Sequence, residues 1–132
     1  MPHTILVADQ NHEMRSKVRS LLEGAGWQVI AEAADGQEAI DKAQQLIPDL
    51  IILDLSMPIK NGLEIAAEVR AFLPRTKILI FTIHEAEEIK REAFRAGVHG
   101  YALKSASGTE LIQQVKRVLE DKEQLRTWGL DC

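Results

Sequence analysis

Three short stretches, Ile5 to Ala8, Leu50 to Leu53 and Ile78 to Phe81, contain no polar side chain, and they constrain the fold of this chain more than any other feature. A strand exposed on one face alternates apolar and polar residues. An unbroken apolar block therefore suits a strand covered on both faces, as in a parallel sheet. Weaker blocks at Val29 to Ala34 and Gly100 to Leu103 add two more candidate strands. Between the blocks lie helical stripes: Met14, Val18, Leu21 and Leu22; Ala39, Ala43 and Leu46; Ile65, Val69, Phe72 and Leu73; Ile89, Ala93 and Phe94; Leu111, Val115, Val118 and Leu119. Their spacing of three and four residues gives each helix one buried face.

Punctuation supports the same boundaries. Asp35 with Glu38, Asn61 with Glu64 and Ser107 with Glu110 each set a capping side chain three residues ahead of an acid, the spacing at which both bond free amides of a first turn. Gly24, Pro48, Pro74 and Gly97 stand where helices close. The alternation predicts a βα unit repeated five times, hence one parallel sheet with helices on both faces and right-handed crossovers. The expected architecture is the flavodoxin-like, doubly wound α/β sandwich with strand order 2-1-3-4-5. Residues 1–122 are expected to form this domain, with 123–132 the start of a linker to a further, missing domain, because Leu125, Trp128 and Leu130 follow a charged stretch.

Composition narrows the function. The 132 residues carry 16 Lys and Arg against 20 Asp and Glu, a net charge of -4, which argues against gripping nucleic acid or an anionic membrane by bulk charge. The single cysteine, Cys132, excludes an intrachain disulfide and fits a reducing, cytoplasmic setting. No apolar run approaches the length of a membrane span or a signal peptide. Neither a P-loop nor a GxGxxG motif is present to hold a nucleotide, and His3, His12 and His99 lack zinc-ligand spacing with one another or with Cys132.

In open α/β sheets the functional site lies beyond the carboxyl ends of the strands, near the point where strand order reverses. Strand 1 ends in Asp9 and Gln10, strand 3 in Asp54, strand 4 in Thr82 and strand 5 in Lys104. Two carboxylates, a hydroxyl and an ammonium on one sheet edge suit phosphoryl transfer. A hard divalent cation takes one or two carboxylates plus waters, and a transferring phosphoryl group requires cations and donors around its oxygens.

The segments ILVAD, IILDLSMPIKNG, ILIFT and GYALK resemble, in order and across nearly the whole chain, the receiver domain of bacterial two-component response regulators. VIAEAADGQEAI and LKSAS further resemble the NarL/LuxR-type branch, whose receivers precede a DNA-binding domain. The resemblance implies a phosphoacceptor at Asp54 for a sensor histidine kinase, with Lys104 on the phosphoryl group, Thr82 as switch hydroxyl and Tyr101 as the aromatic that turns inward behind it. It implies Mg²⁺ held by Asp9, Asp54 and the backbone carbonyl of Ser56, and His84 at a position that tunes acyl-phosphate hydrolysis. Such a chain is a signalling phosphoacceptor, not an enzyme on other substrates. It is expected to dimerise on phosphorylation and to reach DNA only through an output domain.

One departure matters. Gln10 stands where the family has a second metal-binding acid. Its amide oxygen is able to coordinate, but one negative charge beside a divalent ion is gone. At 4 Å and an effective dielectric near 20, a unit-charge pair is worth about 4 kcal/mol before desolvation. Weakened Mg²⁺ binding is therefore expected. The alternative it motivates is a pseudo-receiver, an interaction module that works without phosphorylation. Ser105, where many receivers have Pro, leaves the isomer of the Lys104-Ser105 bond open. Arg15, Lys17 and Arg19, like Lys90, Arg91 and Arg95, read as solvated helix faces.

Overall fold

The computed structural model describes residues 3–120, so the linker expected at 123–132 lies outside the described residues. The elements alternate throughout: β1(Thr4–Ala8), α1(His12–Gly24), β2(Gln28–Ala33), α2(Gly36–Leu46), β3(Leu50–Leu53), α3(Gly62–Phe72), β4(Lys77–Thr82), α4(Glu87–Arg95), β5(Gly100–Leu103) and α5(Gly108–Leu119). All strand pairs are parallel, in the order β2-β1-β3-β4-β5. This is the flavodoxin-like (βα)5 arrangement that the sequence predicts.

The sheet separates two apolar layers. On one face Leu6, Ala8, Ile51, Leu53, Ile78 and Ile80 pack with Ala39, Ile40 and Ala43 of α2, Ile65, Ala66 and Val69 of α3, and Ala93 of α4. On the other, Ile5, Val7, Ile52 and Leu79 meet Val18 and Leu22 of α1 and Leu111, Val115 and Val118 of α5. Successive residues of β1, β3 and β4 thus serve opposite layers, which is why the inner stretches Ile5 to Ala8, Leu50 to Leu53 and Ile78 to Phe81 contain no polar position. The α4 stripe is only partly used: Ala93 is buried, but Phe94 remains 44% exposed.

Four helices begin with a side-chain cap. Asp35, Asn61 and Ser107 accept from the backbone N–H of Glu38, Glu64 and Glu110, as their spacing predicts, and Asn11 accepts from Met14 N. Only at Asn61 is the exchange reciprocal, with Glu64 returning a bond to the Asn61 N–H. Glu38 instead reaches one residue further back, accepting from Ala34 N at 2.7 Å. At the other ends, Ile47 closes α2 in the left-handed region at φ 46°, ahead of Pro48, while Gly97 at φ 99° follows α4. The Lys104-Ser105 bond is trans, as are all peptide bonds of the described residues.

Strand β2 contains one extra residue. Ile5 pairs with Val29 but Leu6 pairs with Ala31, so Ile30 is a bulge. Val29 accordingly joins the layer of α1 and α5, whereas Ala31 and Ala33 join the opposite one. Regular alternation would have kept all three on one face. The shift turns Glu32, the partner of Val7, toward α1.

Candidate functional site

Asp9 and Asp54 are carried just past the ends of the neighbouring strands β1 and β3, and both are buried, with 4% and 6% exposure. The turn that follows each strand binds its own carboxylate: Asn11 N donates to Asp9 Oδ1 at 2.8 Å and Ser56 N to Asp54 Oδ1 at 3.4 Å. Lys104, past the end of β5, sends its Nζ across β4 to both acids. It lies 2.6 Å from Asp9 Oδ2 and 3.3 Å from Asp54 Oδ2. The ammonium therefore sits closer to Asp9 than to Asp54, the partner that the sequence resemblance emphasises.

Burial raises the Asp54 pKa; Lys104 opposes the shift and the negative charge of Asp9 reinforces it. Two carboxylates and one ammonium leave a net negative charge at the site. Asp9, Gln10, Asp54, Ser56, Ile83 and Lys104 line an open cavity of about 370 Å³. Its donor atoms toward a metal are carboxylate and carbonyl oxygens, the set that a hard divalent cation takes, so the residues fit Mg²⁺. Asp9, Asp54 and the Ser56 carbonyl would hold it. Among the described residues no cluster of three or more His, Cys, Asp or Glu forms a metal site of another kind.

The remaining predicted residues form a chain of contacts behind the cavity. Thr82 is fully buried at the end of β4, and its Oγ1 accepts from His84 N at 3.3 Å. Tyr101 donates from its hydroxyl to the His84 carbonyl at 2.8 Å, and burial raises its pKa. Its ring borders a second pocket of about 450 Å³ between α4, β5 and α5. The His84 side chain turns toward the loop after β3, with Nε2 3.2 Å from Ser56 Oγ. Gln10 Nε2 donates to the Ser56 carbonyl at 2.9 Å.

Arg15, with a side chain 14% exposed, is not part of the solvated helix face that its position on α1 suggests, whereas Arg19 is 41% exposed and lies 3.4 Å from Glu23 one turn on. Arg15 Nε donates to Glu32 at 3.0 Å and its Nη1 to the Asp9 carbonyl at 2.6 Å, while Arg19 Nη1 reaches the other Glu32 oxygen at 2.5 Å. Burial alone would raise the Glu32 pKa, but the hydrogen bonds from Arg19 and Arg15 outweigh it and hold the carboxyl below its ordinary value. The only sequence signal for this pairing was the charge pattern itself, and the bulge at Ile30 decided which face Glu32 takes.

Arg15 thus fixes the backbone at Asp9 from behind. Arg15→Met should cost about 2 kcal/mol near neutral pH, because it removes charge-assisted bonds and leaves Glu32 half-paired. A carboxyl held low in the folded state contributes its stability above the ordinary value of 4.5 and loses it as pH falls through the folded value. The gap between parent and variant in urea unfolding should therefore narrow on acidification below about pH 4.5, through loss of parental stability. An unchanged gap would mean that Arg15 acts by packing.

The chain is similar to known proteins along most of its length. The family model described as the response regulator receiver domain matches residues 5–116. Protein CcdB of Bacillus subtilis is 35% identical over 115 residues, covering 87% of this chain and 96% of that protein. The nitrate/nitrite response regulator protein NarL of Escherichia coli is 36% identical over 113 residues, covering 85% of this chain but only 52% of NarL. The chain thus spans about half the length of that regulator. Among solved structures, a LuxR-family two-component response regulator from Aurantimonas superimposes with a TM-score of 0.86 at 34% identity, over 90% of this chain and 86% of that one.

Proposed function

The chain belongs to the response regulator receiver domain family, and from that premise we propose that it is a phosphoacceptor switch modified on Asp54 by a sensor histidine kinase. The observation that carries this reading is the meeting of four side chains from four strand ends. Lys104 bridges Asp9 and Asp54, and Thr82 is buried at the end of the strand adjoining that of Asp54.

In the proposed reaction an oxygen of the Asp54 carboxylate attacks phosphorus. A P–O bond forms as the P–N bond to the kinase phosphohistidine, protonated on its other ring nitrogen, breaks, and the bonding pair leaves with a neutral imidazole that keeps that proton. Bound Mg²⁺ would supply positive charge toward the phosphoryl oxygens. Lys104, already 3.3 Å from Asp54 Oδ2, would transfer part of its interaction from Asp9 to the new dianion. Thr82 would donate its hydroxyl to a phosphoryl oxygen.

Such a move disturbs the bond from His84 N to Thr82 Oγ1, and the His84 carbonyl is the acceptor that holds Tyr101. Phosphorylation would thereby bias the loop after β4 and the surface of α4, β5 and α5 between two states. We read the output of that switch as dimerisation and, through a DNA-binding domain of the NarL/LuxR type, transcription. The setting is cytoplasmic, with no action of the domain on other substrates. No helix among the described residues is long and apolar enough to cross a membrane.

The test is intact-protein mass after incubation with acetyl phosphate and Mg²⁺. The parent should gain one phosphoryl group and Asp54→Ala none. Equal gain in both would sink the assignment of Asp54. No gain by folded parent at any Mg²⁺ concentration would instead support an interaction module that operates without phosphorylation.

A further inference from the structure

The side chain that replaces the family's second acid is already engaged, and with its nitrogen end. Ser56 O is a carbonyl oxygen, so it only accepts; the group that meets it at 2.9 Å is the Gln10 NH2. The carbonyl that would ligate Mg²⁺ therefore faces an amide whose hydrogens bear partial positive charge. A cation binding there competes with that donor.

The other oxygens of the set are similarly occupied from within. Asp9 accepts from Asn11 N and pairs with Lys104; Asp54 accepts from Ser56 N and pairs with Lys104. Among the described residues no buried side-chain nitrogen or oxygen lacks a partner. Gln10 thereby ties the end of β1 to the loop after β3.

We propose that Gln10 is an internal clasp that competes with the divalent cation: its amide nitrogen holds the Ser56 carbonyl, and metal enters only when that bond opens. This goes further than a missing charge. An absent acid merely lowers affinity, whereas a clasp predicts that deleting the side chain raises it. The inference rests on the phosphoacceptor reading only in taking Asp9, Asp54 and Ser56 as the ligands.

The experiment is a Mn²⁺ titration of the 15N-labelled full chain, followed by paramagnetic broadening of the amide resonances of Asp9, Asp54 and Lys104, with parent, Gln10→Ala and Gln10→Asp. A single net hydrogen bond of ordinary strength corresponds to roughly a fivefold change in affinity. Gln10→Ala should therefore bind Mn²⁺ roughly three- to tenfold more tightly than the parent, and Gln10→Asp more tightly still, since it removes the clasp and restores a charge. Gln10 is exposed, so neither variant threatens the core.

Equal binding by Gln10→Ala overturns the clasp, and weaker binding also overturns it and makes the amide oxygen a ligand. Acetyl phosphate uptake measured on the same samples separates the two failures. Uptake by the parent without tighter binding in Gln10→Ala removes the clasp and leaves the phosphoacceptor reading standing. Folded Gln10→Asp that neither binds Mn²⁺ nor takes up a phosphoryl group removes both.

Discussion

Lys104→Met should lower the unfolding free energy by about 3 kcal/mol near pH 7 and by much less near pH 4. The Lys104 side chain is 13% exposed and serves Asp9 and Asp54, whose side chains are 5% and 8% exposed. Methionine retains most of the aliphatic stem and removes only the charge. Two buried carboxylates then face each other with no counter-ion. Burial and Asp9 already push Asp54 upward against Lys104; with the ammonium gone only the Ser56 N–H bond opposes them.

A raised folded-state pKa makes the folded state bind a proton that the unfolded chain has lost. Stability is then fully present below the ordinary carboxylate range and disappears as pH rises through the folded value. The stability of the variant should thus climb on acidification, whereas in the Arg15 comparison it is the parent that falls. Denaturant midpoints at the two pH values decide the matter. An equal loss at both would show that Lys104 contributes through packing and not as counter-ion to the two acids.

The second large effect is expected at Gly62, the first residue of α3. A Cβ there would lie 2.7 Å from the Asp54 carbonyl oxygen and 2.8 Å from Leu55 Cα. Both are backbone atoms of the segment that bears the acceptor, so neither yields by a side-chain rotation. Gly36, the first residue of α2, faces the same loop from the other side, with its would-be Cβ 2.3 Å from the Lys60 carbonyl oxygen and its N–H donating to Pro58 O at 3.1 Å.

Helices α2 and α3 hold the loop between them at backbone contact, and it has no slack. Gly62→Ala should cost roughly 2 to 3 kcal/mol through overpacking. It should also shift the amide resonances of Asp54 and Ser56, and slow phosphoryl uptake. Gly24→Ala is the control, since nothing lies within 4 Å of its Cβ position. A thermal melt in which Gly62→Ala matched Gly24→Ala would show that the loop relaxes freely.

Much of this was legible in the chain because the relevant physics is local or periodic. Ile51 and Ile52, like Ile78 and Leu79, are consecutive apolar residues because they face helices on opposite sides of the sheet. Asn61 and Glu64 announce their capping exchange by spacing alone. Asp9, Asp54, Thr82 and Lys104 are found together because strand ends in one parallel sheet share an edge.

The features that escaped depend on long-range geometry. Nothing local distinguishes Arg15 from Lys17, yet one is nearly enclosed by Asp9 and Glu32 and the other is exposed. Glu32 takes the α1 face only through an extra residue in β2, which leaves no mark in composition. Which end of the Gln10 amide is used follows from its partner, and Ser56 is 46 residues away. Ile47, a β-branched residue at positive φ, runs against every local preference and is held by the turn into β3.

The bulge at Ile30 has a consequence for the rim of the molecule. Strand β2 is the outermost member of the sheet on its side, and an outer strand with regularly spaced free amides invites a strand from another molecule. A continuous new pairing requires an even ladder along the whole rim. Ile30 interrupts that ladder after two residues, so an incoming strand in register with Gln28 and Val29 is out of register with Ala31 to Ala33. The residue that aims Glu32 at its arginines thereby also disfavours the addition of a further strand along this rim.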